Sequence, residues 1–458
     1  MARTNLLATP RGRLTAFSLL YVGEGLPQGF VTAAVALEFK RMGMGAEALG
    51  TFAATIMLPW AWKWMFGPFV DNLHLERFGR RSQWIVAMQI GMILSLIAAM
   101  SVFPTVGPDG SVAGLALFTT LLLTHNLFGA CQDVAIDALA VGSLSEEERG
   151  RANGFMFGAA QLGIALGGSG VIWLKGFVGF PFASLLVPAC LLGIVTMMLR
   201  LTAEKALAGE VPAAVRGAAA AGREVLAYAK TVGRVFFTTR RGFLGLCLAL
   251  LPVGGKSLSL TVSNVITPTL GMTDDEIAAW GVIGSVAFSI ACVLGGAVSD
   301  KWGRRRTLAV FASATVLPAL YLAWTFQAAG WLVAPPAVDG VWPRVESLIL
   351  QWNVAGTVFA VFLGLMYGVQ SALYMDIAEP RIAATQFTAS MALMNLVTVY
   401  SYWWQGNALA PVAEGGWGLT LPQTLLVDSA FGLLFLAVLP FLSPRPAERV
   451  EARSAASA

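Results

Sequence analysis

Apolar residues run along this chain in long unbroken blocks, not at the three-and-four spacing of a soluble amphipathic helix. A helix that crosses a bilayer needs about 20 mostly apolar residues. Blocks of that kind cover 14–39, 46–70, 83–103, 112–144, 153–173 and 181–201, then 242–270, 275–299, 307–328, 347–377, 383–409 and 422–442. They predict twelve transmembrane helices. Most interruptions are short and rich in Gly, Pro, Asp or Arg. The long one, 202–241, is Ala-rich and carries Lys205, Arg216, Arg223, Lys230, Arg234, Arg240 and Arg241. A linker is expected there, with a basic amphipathic helix over 215–237 that lies on the membrane surface or is solvated. The expected units are a first six-helix half (1–201), the linker (202–241), a second half (242–443) and a disordered polar tail (444–458).

Composition agrees with the blocks. Of 458 residues, 57% are hydrophobic and only 12% charged, against about 25% charged in a soluble domain. The first block is too long for a signal-peptide core and has no clear cleavage site, so it is expected to remain as span one. Of the 30 Lys and Arg residues, Lys63 and Lys256 fall inside spans, and Lys40, Arg41, Lys175 and Arg344 lie on one side of the twelve-span reading. The rest lie on the other side, which predicts that both termini are cytoplasmic. The net charge of +4 is dispersed over loops and does not point to nucleic acid. Cys131, Cys190, Cys247 and Cys292 all fall in apolar runs without metal spacing and read as small hydrophobes.

The two halves repeat. GPFVDNLHLERFGRR follows span two, with Asp71, Arg80 and Arg81. GGAVSDKWGRRR follows span eight, with Asp300, Arg304 and Arg305. The second fits G-x-x-x-D-x-x-G-R-R-R, and the first is the same pattern with extra residues. This resembles the loop signature of major facilitator transporters. The resemblance implies an all-α membrane protein with two pseudo-symmetric six-helix halves. The Asp and Arg residues are expected to act as a conformational latch, or as a topology signal only. Internal repeats of this kind place the substrate site between the halves.

Charge inside a span is costly, about 2.5–3.5 kcal/mol per group at the bilayer centre on insertion scales. Such residues need partners from other helices. The run 129–151 holds Gln132, Asp133 and Asp137. The two acids are one turn apart on one helix face. Glu24 lies ~15 Å into span one and Lys256 ~21 Å into span seven, at 1.5 Å per residue. These first helices of the two halves are expected to face each other, so the two opposite charges could pair in one state and separate in another. Lys63 lies in span two beside Trp60 and Trp64, which could stack on a sugar ring or anchor at the interface. Glu24, Lys63, Gln132, Asp133, Asp137 and Lys256 form the expected substrate and proton pathway. The plainer alternative is a buried polar cluster that only holds helices together. His125 reads as a helix-contact residue, and Asp376, Glu379 and Arg381 as a boundary cluster. Gly163, Gly167, Gly168 and Gly170 in span five have close-contact spacing.

Several stretches are similar to one branch of the superfamily. They are EGLPQGF (24–30), PWAWKWMFGPFVD (59–71), QDVAIDALAVGSLSEEERG (132–150) and AATQFT (383–388). They resemble the AmpG-type muropeptide permeases and their relatives, the acetyl-coenzyme A transporters. The resemblance implies import of anhydro-muropeptides or a related large polar solute across the inner membrane, coupled to protons. It implies a small polar solute, protons and the lipid bilayer as partners, a monomer, and no cofactor or metal. Desolvation favours a neutral carboxylate and a nearby lysine favours a charged one, so such a set could take up and release a proton. Sodium coupling, export of a drug or siderophore-like solute, and carriage of an acyl-coenzyme A stay open alternatives. A transporter-like sensor without flux shares the topology. An enzyme would need a catalytic set, and only His74 and His125 are available as histidines.

Overall fold

A computed structural model describes residues 5–72, 81–106, 112–144, 146–201, 218–338, 341–377 and 383–442. These fold into twelve helical rods, in two six-helix halves. The rods are 10–41, 46–72, Ser82–Ser101, Leu115–Ser143, 146–178 and 180–201, then 240–269, Asp274–Trp302, 304–328, Glu346–Ile377, Ala383–Leu409 and 421–441. We call them spans one to twelve. Among the described residues, eight are apolar enough to cross a membrane on composition and length alone. Several spans, among them one, two, five and seven, carry breaks in the regular α pattern. A short antiparallel pairing of Thr105–Val106 with Val112–Ala113 joins the ends of spans three and four. The helix preceding span seven is Ala218–Thr238. The rest of the expected linker, 202–217, and the tail 444–458 lie outside the described residues.

The charged stretch Glu146–Arg149 falls between the apolar blocks 112–144 and 153–173, where a loop is expected, yet helix begins at Glu146. Acids in a first turn complement the positive end of the helix dipole, so a carboxylate run starts a helix well. Span seven read as continuous, yet it is two helices, Arg240–Leu250 and Thr261–Thr269, with irregular backbone between them. Pro252, Gly254 and Gly255 explain the break: proline lacks the donor, and Gly254 adopts φ +71°, which side chains disfavour.

Small residues set the helix contacts. A Cβ added at Gly163 or Gly167 would collide with the carbonyl oxygens of Val22 or Leu26, and one at Gly25 or Gly29 with those of Ala160 or Ile164. Spans one and five therefore touch backbone to backbone, the close approach that glycine allows in lipid. Gly295, Gly364 and Gly368 do the same for spans eight and ten, and Gly50 with Gly406 for spans two and eleven.

The halves meet at the end of the bundle away from the termini. One core cluster there crosses between them, with Phe39 and Phe52 beside Leu260, Val265 and Tyr402. Charged residues seal the same end. Arg41 of span one lies 2.5 Å from Asp274 of span eight. Lys175 of span five lies 3.0 Å from the other Asp274 oxygen and also pairs with Glu38.

Candidate functional site

The chemistry concentrates in the first half, where spans one, two and four converge. Lys63 follows the end of the span-two helix Ala46–Ala61, in a short 3₁₀ turn, Lys63–Phe66, just past Pro59. The turn places its ammonium 2.7 Å from Asp133 Oδ2 of span four. Both are buried, at 7% and 3% exposure. One turn along span four, Asp137 accepts a 2.7 Å hydrogen bond from the Tyr21 hydroxyl of span one. Glu24, one turn beyond Tyr21, lies close enough to interact with Asp133, Lys63 and Asp137. Its Oε2 is buried without a hydrogen-bond partner. Three carboxyl groups thus share one ammonium.

A small cavity adjoins this cluster. Glu24, Gln28, Trp60, His125, Asn126 and Gly129 are among its lining residues, and it leaves about 10 Å³, near the lower limit for one water. The Trp60 indole donates to Asn126 Oδ1 at 2.9 Å. His125 donates from Nδ1 to the Met92 carbonyl at 2.9 Å, and its Nε2 has no partner. The second half closes over this region. Asn395 of span eleven donates to the Trp60 carbonyl at 3.2 Å, and the Tyr367 ring of span ten packs 5.6 Å from the Phe157 ring.

The expected site residues therefore divide. Glu24, Lys63, Asp133 and Asp137 come together. Gln132 does not: it donates at 3.3 Å to the Ile85 carbonyl of span three. It lies one residue from Asp133, about 100° around the helix, so it faces another neighbour. Lys256 does not meet Glu24. It lies in the break of span seven, and its electrostatic partner is Asp428 of span twelve. Trp60 borders the cavity, whereas Trp64 packs beside the Trp62 ring, 6.4 Å between centres.

Of the expected latch residues, Arg304 pairs with Asp376 of span ten at 2.5 Å, and Arg305 donates to the Leu442 carbonyl. These two contacts lie within the second half. Asp71 lies at the end of span two, Asp300 near the end of span eight and Arg81 just before span three. Arg80, like Glu379 and Arg381, lies outside the described residues.

Three polar residues escaped the sequence reading: Tyr21, Gln405 and Asp428. Asp428 is 3% exposed inside a span, and the rule that selected Glu24 selects it too. Tyr21 and Gln405 carry no charge and gave no comparable signal.

The family model described as Major Facilitator Superfamily matches residues 14–401. The putative transporter AmpG 4 of Rickettsia conorii is 23% identical over 401 residues, covering 85% of this chain and 89% of that protein. The anhydromuropeptide permease of Escherichia coli K12 is 23% identical over 390 residues, covering 83% and 71%. An inward-open structure of the xylose transporter XylE from E. coli superposes with a TM-score of 0.67 at 13% identity, covering 96% of this chain and 97% of that one.

Proposed function

The chain belongs to the major facilitator superfamily, and from that premise we propose that it imports anhydro-muropeptides, or a related large polar solute, by proton-coupled alternating access. It is a multi-pass membrane transporter, not an enzyme. The proposal adds the substrate, the coupling ion and the setting. That setting is the inner membrane, with both termini and the linker in the cytoplasm and the transporter acting as a monomer.

The observation that carries the proposal is the buried Lys63–Asp133 pair with Glu24 and Asp137 beside it. In a low-dielectric site, three carboxyl groups cannot all stay charged against one ammonium at low cost. A proton is the natural complement, and the pair is a natural exchange point. In this mechanism a proton arriving from outside neutralises a carboxyl of the cluster and frees Lys63. Re-formation of the Lys63–Asp133 contact after the halves rock expels the proton inward. The sealed end, held by Arg41, Lys175 and Asp274, is then the outer one, and this conformation is the one in which the pair has closed. The names of the relatives, AmpG and anhydromuropeptide permease, favour the substrate class.

Proton movement tests the coupling. Adding an anhydro-muropeptide outside weakly buffered proteoliposomes should make the external medium more alkaline. Flux without that alkalinisation would remove proton coupling from the account, and no flux would remove the substrate.

A further inference from the structure

We propose that the break in span seven is an anion-binding subsite, read by the Lys256 ammonium and held in shape by Asp428. It rests on the reading of the chain as a carrier of a large polar solute, and it adds a second recognition point in the other half. Irregular backbone at membrane depth survives only where neighbouring protein or water satisfies its polar groups. Here four successive N–H groups are satisfied by other spans. Gly254 N–H donates to the Gly432 carbonyl at 2.9 Å. Gly255 N–H donates to Thr315 Oγ1 at 2.8 Å. Lys256 and Ser257 N–H both donate to Asp428 Oδ2, at 2.7 and 2.9 Å. The second Asp428 oxygen accepts from Gln405 Nε2 at 3.2 Å. A Cβ at Gly432 would collide with Gly254 and Gly255, so span twelve lies directly against the break. The break is a built element, not a frayed helix.

The consequence falls on Lys256. Its backbone is pinned, while its ammonium makes no hydrogen bond or ion pair among the described residues. Asp428 supplies a countercharge that lowers the cost of burying the lysine, yet both its oxygens are engaged elsewhere. The three ammonium donors remain free for a ligand. Their fitting partner is an anionic oxygen group, a carboxylate or a phosphate. Asp428 is a positioning residue: it sets the backbone from which the lysine projects.

Ligand-induced thermal shifts of the purified transporter test this. The probes are an anhydro-muropeptide with free peptide carboxylates, the same compound with those carboxylates amidated, and glucose 1-phosphate. Wild type should bind the free acid about tenfold or more tightly than the amide, the scale of one hydrogen bond to a charged group. Lys256→Gln should abolish that ratio and Lys256→Arg should restore much of it, which separates recognition from misfolding. Asp428→Asn should reduce the ratio, an effect that loss of stability alone would not produce. Equal binding of acid and amide in wild type, or an unchanged ratio in Lys256→Gln, overturns the proposal. If no muropeptide shifts the melt, the muropeptide reading fails and glucose 1-phosphate decides. A Lys256-dependent shift with it supports the subsite, and its absence overturns it.

Discussion

Lys63 and Asp133, 70 residues apart in the chain, form a buried ion pair of 2.7 Å that joins span two to span four. Neither residue has an ordinary reason to be in a membrane interior without the other. Removing one partner of a buried pair costs about 3–5 kcal/mol, because the other charge is stranded. Lys63→Met should therefore lower the melting temperature of the purified protein markedly, and Asp133→Asn less, because Glu24 and Asp137 stay beside the ammonium. The double variant should melt above Lys63→Met. A double variant that melts at or below Lys63→Met would mean that the two residues do not act as a pair.

Backbone contact between spans one and five gives a second prediction. Gly167→Ala places a Cβ against the Leu26 carbonyl and should destabilise by about 1–3 kcal/mol or more, the usual cost of overpacking. Gly158→Ala on the same span meets open space and should be tolerated. The yield of monodisperse protein on size exclusion checks both. Equal behaviour would put the close approach in doubt.

The sealed end is held across the halves by Asp274, and it should loosen when that residue is lost. Spin labels at Phe182 and Ala329 report the distance between the halves there. Asp274→Asn should move the distance distribution outward, because Arg41 and Lys175 lose their shared partner. The swap Arg41→Asp with Asp274→Arg should draw it back. A distribution that ignores Asp274→Asn would assign these ion pairs no gating role.

Orientation has its own measurement. In a variant lacking the four native cysteines, a membrane-impermeant maleimide should label Ala329→Cys in intact cells and Thr238→Cys only after permeabilisation. The reverse pattern would turn the transporter over and make the proposed inner end the outer one.

The fold was legible because hydrocarbon leaves the backbone few choices. Without water, each apolar block had to be a helix, and Lys/Arg placement counted the crossings. The span-five glycines were legible as contact residues, though their partners Gly25 and Gly29 were not, since spacing on one helix does not name the facing one. Charge inside a span marked Glu24, Lys63, Asp133 and Asp137. It could not pair them, because Lys63 meets Asp133 only through the 3₁₀ turn after Pro59. Gln132 misled because adjacency in sequence turns a side chain to a different neighbour. The break in span seven was written in Pro252, Gly254 and Gly255, and Asp428 in the last block carried the same signal as Glu24. Neither pointed to the other until span twelve was seen lying against the break.

Proton-driven uptake tests the central claim most directly. Proteoliposomes holding wild type, Glu24→Gln, Asp133→Asn or Asp137→Asn are given labelled anhydro-muropeptide with the outside made acidic. An inward proton gradient should drive wild type to accumulate the solute above its external concentration. Dissipating the gradient with a protonophore should end accumulation. Asp133→Asn should at most equilibrate the solute, and at least one of the other two variants should fail to accumulate it. Uptake that ignores the gradient, or accumulation by all three variants, would contradict proton coupling through this cluster.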